Sequence, residues 1–282
     1  MTHRSHELHR RRASLAILLM MLSAMLLACS GRPLVVAATP TPQVPTYCRL
    51  KVEGRWVKDA QGRVVILHGA DLPTLSEMAA RGESPESLLE ALAGAGARLI
   101  RLAIAPTEMT PLFIPAVISP LVARANALGM LVILSYQNDL SAKVNDQGEA
   151  AEEWLRTTLT YLRNAPGVWL QPFAFPIATP KWRALNQRMV DVAIGLGAEN
   201  GIVVTQPDWL QTDGRGLLQG VNIIYSADDL EGLPLDAAPF ILNVVDPAQA
   251  LARLPDGVWS LSKRSDDLSA VAPLWRLSRG CR

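Results

Sequence analysis

Histidine is almost missing from this chain. Four of 282 residues are histidine, and three of them, His3, His6 and His9, fall in the first nine positions. That region has a basic head, THRSHELHRRR, followed by an apolar run from Ala13 to Ala28. The run is short for a membrane span and has the length of the apolar part of a secretion signal. Without this leader only His68 remains. That argues against a histidine-based metal site and a catalytic triad, because each ligand or base needs its own side chain. Charge of one sign is also lacking. The formal net charge is +1; Arg4, Arg10, Arg11 and Arg12 leave with the leader against Glu7, which brings it to −2. No nucleic-acid partner is implied. No G-x-G-x-x-G follows the first strand-like run, so nothing supports a dinucleotide site. No cofactor and no metal are expected. Cysteine is scarce too, at three residues: Cys29, Cys48 and Cys281.

The leader ends in Leu27-Ala28-Cys29-Ser30, which resembles the signal of bacterial lipoproteins. That resemblance implies cleavage before Cys29, lipidation of its thiol, and an exported chain anchored at a membrane by its lipid. The next stretch, SGRPLVVAATPTPQVPT, becomes rich in proline and threonine and buries little, so it reads as a tether. The expected organisation is a signal over 1–28, a tether over 29–46 and a folded domain over 47–282. Cys48 and Cys281 stand at the two ends of that domain. Export places them where disulfides form, and we expect them to pair.

From Tyr47 onward short β-like runs alternate with helical ones. RLKVEGRWVKDAQGRVVILHGADL reads as a hairpin feeding a first strand over Val64–Leu67, with His68 within that strand. SPESLLEALAGAGA has Ser84 as N-cap, Pro85 at the first helical position and Gly94 or Gly96 at the stop. MLVILSY is nearly all apolar, as a strand covered on both faces should be. Further helices are expected within 111–129 and over 149–164, 179–200, 247–254 and 267–280. Strands centre near 65, 99, 132, 169, 203, 223, 241 and 258. Eight strands alternating with helices over about 235 residues suit an α/β fold of the (β/α)8 TIM-barrel type. The alternative is a doubly wound open sheet.

Several runs, in order, resemble glycoside hydrolase family 5, the cellulase-type barrels. They are GRWVKDAQGRVVILHGADL, GARLIRLAI, ALGMLVILSYQND, YLRNAPGVWLQPFAFP, NIIYSADD, APFILNVVD and GVWSLS. The resemblance spans about residues 48–280. It implies a site at the carboxyl ends of the strands, with Arg101, Asn138, Tyr225 and Trp259 at substrate-binding positions. It also implies two catalytic carboxylates, and those are missing. Matching Pro176 to the family's Asn-Glu-Pro puts Ala174 at the asparagine and Phe175 at the acid/base. The nucleophile falls on Val244, with Asn243 and Asp246 as neighbouring registers, and the third-strand histidine on Gln137. Alanine, phenylalanine and valine can neither donate the proton nor attack the anomeric carbon.

The leading expectation is therefore a catalytically inactive, glycosidase-like barrel that binds a polysaccharide or oligosaccharide. One alternative is an active glycoside hydrolase with relocated carboxylates, drawn from Glu108, Asp139 and Asp246, with Asp208 and Asp228 also near strand ends. Another is a structural scaffold for a protein partner, with a mouth plugged by Phe173, Phe175 or Met109. Tyr225 and Trp259 also have a plain reading as core aromatics.

Overall fold

The computed structural model describes residues 47–110, 112–176, 180–207, 209–212, 216–245, 254–263 and 268–280. By its contacts the chain divides into Met1–Gln43 and Val44–Arg282, and everything below concerns the second unit. The leader, Cys29, Cys281, Asp208, Asp246 and all but the last residue of the helix expected over 247–254 lie outside the described residues. Among the described residues, no helix is long and apolar enough to cross a membrane.

A two-stranded antiparallel hairpin, β1 (Lys51–Glu53) and β2 (Trp56–Lys58), precedes eight parallel strands. These are β3 (His68–Leu72), β4 (Leu99–Ile104), β5 (Leu131–Tyr136), β6 (Val168–Gln171), β7 (Ile202–Thr205), β8 (Ile223–Ala227), β9 (Phe240–Val244) and β10 (Trp259–Lys263). They close into a barrel in sequence order, with β10 pairing back to β3. Helices lie between them: α1 (Leu75–Ala80), α2 (Pro85–Ala95), α3 (Ser119–Ala127), α4 (Val144–Leu162), α5 (Trp182–Gly195), α6 (Trp209–Thr212) and α7 (Leu268–Trp275). The protein is a (β/α)8 barrel, and the open-sheet alternative is set aside by closure.

Two apolar layers result from the two-residue alternation of strands. Leu99, Leu131, Ile133, Trp169, Val203, Ile224, Ile241, Trp259 and Leu261 fill the inside of the barrel. Ile100, Leu102, Val132, Leu134, Leu170, Val204, Tyr225 and Val244 face outward and pack under the helices. With both faces covered, β5 is buried along its whole length, as its apolar run anticipates. The hairpin stoppers the amino-terminal end. Leu50 and Val57 join the inner cluster. Arg55 binds Asp236 and the Asp256 carbonyl, and the Val52 amide donates to Asn222, all in turns that feed strands from below. Gly69 faces inward on β3 where that strand is tight against β4; a Cβ there would lie 1.6 Å from the Leu99 carbonyl oxygen.

Local signals account for both ends of α2. Ser84 caps α2, Pro85 opens it and Gly96 ends it in the left-handed region, φ 105°. Four elements differ from expectation. The first barrel strand begins at His68, because Val64 and Ile66 are used in isolated antiparallel bridges to Lys58 and Arg279. α1 was not anticipated; a capping box between Thr74 and Glu77 starts it. α4 begins at Val144, five residues before the expected start, and the helix expected within 111–129 is split into a π turn, Ile114–Ile118, and α3.

Candidate functional site at the barrel mouth

The alternation that fills the barrel floor with apolar groups changes character one layer up. At the carboxyl ends the inward side chains are polar: Asp71, Arg101, Ser135, Gln171, Thr205, Ser226 and Asn243. Active sites of such barrels occupy this end. Arg101 anchors the layer. Its Nε donates to Asp71 Oδ1 at 2.7 Å and its Nη2 to Oδ2 at 2.6 Å. Its Nη1 reaches Ser226 Oγ at 3.4 Å; that hydroxyl donates to Asn243 Oδ1 at 3.2 Å, and Asn243 Nδ2 donates to Asp228 Oδ1 at 2.8 Å. The result is one hydrogen-bonded chain across β3, β4, β8 and β9. Beside it, Gln171 Nε2 donates to Thr205 Oγ1, which donates on to the Phe173 carbonyl. The Gln171 Oε1 atom has no hydrogen-bond partner in the described structure.

The residues singled out from sequence separate into three groups. Arg101 is in the mouth. Asn138 lies in the loop after β5, buried, with Nδ2 on Gln147 Oε1 at 3.0 Å and Oδ1 accepting the Phe175 amide at 3.0 Å. It ties the loop after β5 to the loop after β6. Phe175 is 41% exposed at that loop. Ala174 is fixed by its amide on the Tyr136 carbonyl.

Tyr225 and Trp259 are not in the mouth. Tyr225 faces outward on β8, with its hydroxyl accepting from the Leu218 amide and its ring against Phe240. Burial pushes that hydroxyl up to about 12. Trp259 faces inward but at the floor. It is fully buried against Trp169, ring centroids 5.2 Å apart, and its Nε1 donates to the Val65 carbonyl. Both are core aromatics, so neither offers a ring face to a sugar. Val244 is also corrected: it lies in the outer layer under the helices, and the side chain of β9 that enters the mouth is Asn243.

The relocated carboxylates have local occupations. Glu108 accepts from the Ser76 amide and hydroxyl and from the Ala105 amide, joining the turn after β4 to α1. Asp139 accepts from the Ser141 hydroxyl and amide, and the hydroxyl above all holds its carboxyl below the usual value. Of the residues suggested as plugs, Phe173 packs edge-on to Trp182, centroids 4.9 Å apart, and Met109 lines a groove beside α4. No group of three or more His, Cys, Asp or Glu able to hold a metal occurs among the described residues. Sequence reasoning missed Asp71, Ser226, Asn243, Gln171 and Thr205 as a set. Counting by twos from Arg101, and from its neighbours in register, would have found them.

No protein-family model and no curated protein matches this chain. Solved structures do. A β-glucanase from Saccharophagus degradans, in complex with cellotetraose, superposes with a TM-score of 0.64 at 20% identity, covering 79% of this chain and 85% of that one. The catalytic domain of endoglucanase Cel5A from Thermobifida fusca gives 0.63 at 18% identity, covering 78% and 86%. A β-mannanase from the blue mussel Mytilus edulis gives 0.62 at 11%, covering 81% and 96%. At these identities the likeness establishes the fold: the barrel is of the kind found in family 5 cellulases.

Proposed function

We propose that this chain is an exported, lipid-anchored barrel that binds an oligosaccharide at its mouth and does not hydrolyse it. The observation that carries this reading is the side chain of β9 turned into the mouth. It is Asn243, an amide that accepts from Ser226 and donates to Asp228. A retaining glycosidase needs a nucleophilic carboxylate there and an acid/base about 5–5.5 Å away. The loop after β6 supplies Phe175 in place of the acid. Asp71, the carboxylate nearest to the Arg101 guanidinium, is already held by it at both oxygens. What is left is a layer of hydroxyl, amide and charged groups, with the half-exposed ring of Phe175 at its edge. Polar groups fix the orientation of a sugar, and a ring offers its apolar face a platform. The glucanase and endoglucanase of similar fold have been solved with cellotetraose, which makes β-linked glucan the first ligand to try.

Export and anchoring rest on the leader and Cys29. The Cys48–Cys281 disulfide belongs to the same proposal. It is supported by the meeting of the chain ends at the barrel floor, where Ile66 and Arg279 exchange both backbone hydrogen bonds.

The test is to give the full-length chain a panel of β-glucans and mannans, and to titrate it with cellotetraose calorimetrically. Saturable binding without release of reducing ends is expected. Turnover that disappears in Asp71→Asn or Asp228→Asn would establish instead an enzyme with rebuilt carboxylates. Absence of both binding and turnover across the panel would favour a scaffold for a protein partner.

A further inference from the structure

A groove of about 520 Å³ opens on the flank of the barrel, between the turn after β4 and the outer face of α4. Pockets for small ligands run from about 300 to 1,000 Å³. Tyr136, Trp154 and Tyr161 bring three aromatic rings to it, and Met109 and Pro106 face them. Tyr136 and Trp154 are stacked with centroids 5.5 Å apart and are buried, so they make the floor. Tyr161 is 49% exposed and presents an open ring at the side.

Charge decides what fits. No lysine or arginine lines the groove, and one carboxylate does, that of Glu153. Its neighbour Glu152 is held by Arg156 and Arg188, on a different face of α4. Glu153 is exposed, and among the described residues no hydrogen bond or ion pair engages it. The Tyr136 hydroxyl on the floor is raised above its ordinary value, first by burial and then by the negative charges of Glu153 and Asp139. The field in the groove is therefore negative. An anion is repelled by it and a cation attracted.

We propose that this groove is a second binding site, for a small organic cation: an ammonium group on an apolar body, received by the aromatic rings of the groove and drawn in by the negative charge of Glu153. The negative face of an aromatic ring attracts an ammonium within about 6 Å of its centroid, more strongly as water is excluded. A nearby carboxylate adds Coulomb attraction of the same sign. Methyl groups on the nitrogen suit the thioether of Met109 and the ring of Pro106 better than water does. The site shares none of its lining with the mouth, so its success or failure is independent of the sugar-binding reading.

The experiment is titration of the full-length chain with choline, followed by calorimetry and tryptophan fluorescence. The comparison ligand is 3,3-dimethylbutan-1-ol, which has the same shape and no charge. Saturable choline binding is expected, with the alcohol at least about tenfold weaker. Glu153→Gln and Tyr161→Ala should each weaken choline by about tenfold and leave the melting temperature in place, because both side chains are exposed. The proposal is overturned if choline shows no saturable binding in the millimolar range. It is equally overturned if the alcohol binds as well as choline, or if Glu153→Gln keeps full affinity.

Discussion

Arg101 forks onto Asp71 across neighbouring strands, with both carboxylate oxygens engaged at 2.7 and 2.6 Å. The β3–β4 register sets the two residues side by side, so the pair is a product of parallel strand pairing. Bidentate geometry makes it among the stronger kinds of polar contact. It also satisfies a guanidinium that burial would otherwise penalise. Arg101→Met should cost about 2 kcal/mol in denaturant unfolding, below the 3–5 kcal/mol of a fully buried pair, because both partners keep some solvent. Adding Asp71→Asn should restore part of that loss, since the orphaned charge goes with it; a double-mutant cycle reads the coupling.

His68 is predicted to make the domain acid-sensitive. It is buried beside α7 with Nδ1 3.0 Å from Ser260 Oγ, and burial lowers its pKa from 6.5 to about 4. The unfolded chain takes up the proton near pH 6.5 and the folded one near pH 4, so between these values the unfolded state holds more protons. Stability therefore falls as pH drops through that window and is unaffected by this residue above it. The full effect is about 3 kcal/mol. Unfolding free energies at pH 7 and pH 4.5 should differ less in His68→Gln than in the parent by most of that amount.

Gly69→Ala should be among the most damaging single changes. The added methyl would sit 1.6 Å from the Leu99 carbonyl oxygen, and backbone cannot swing aside as a flexible side chain would. A loss of at least about 3 kcal/mol is expected, or failure to accumulate folded protein. Circular dichroism and expression yield would show it.

Asn243→Glu should not create a hydrolase. Phe175 still supplies no acid, and the new carboxylate would face Asp228, which Asn243 now binds at 2.8 Å. Like charges that close raise the pKa of one partner. The variant should lose about 1 kcal/mol at pH 7 and recover it towards pH 5, with reducing-end release unchanged from background.

If Cys48 and Cys281 pair, intact-mass analysis after thiol blocking will find both protected without reductant. Reduction should then lower stability by about 5.5 kcal/mol, the entropic value for a loop this long. Full reactivity of both thiols in the native protein would remove this part of the proposal.

How much of this was legible beforehand differs by level. The eight strands, their order and the caps of α2 follow from alternation, length and residues such as Ser84, Pro85 and Gly96, all of them local. Arg101 also stood out from sequence, because a charged residue in an apolar strand needs a partner; which partner it has, Asp71, did not. The mouth was read less well. The family match falls on Val244, with Asn243 as a neighbouring register, and it is Asn243 that turns inward; of the two readings of Tyr225 and Trp259, the core one fits their burial.

The reason is the barrel itself. Where both faces of a strand are buried, inside and outside are equally apolar, and no pattern along the chain marks which is which. A register error of one residue exchanges the faces, as it does for Val244 and Asn243. Depth is hidden in the same way. Trp259 faces inward as a mouth residue would, but strand stagger places it at the floor against Trp169. The amino-acid sequence by itself determined eight alternating strand and helix units, because caps, apolar runs and turn residues are local signals. Only the closed tertiary structure decided which side chains reach the mouth, because stagger and closure belong to the whole sheet and to no single segment.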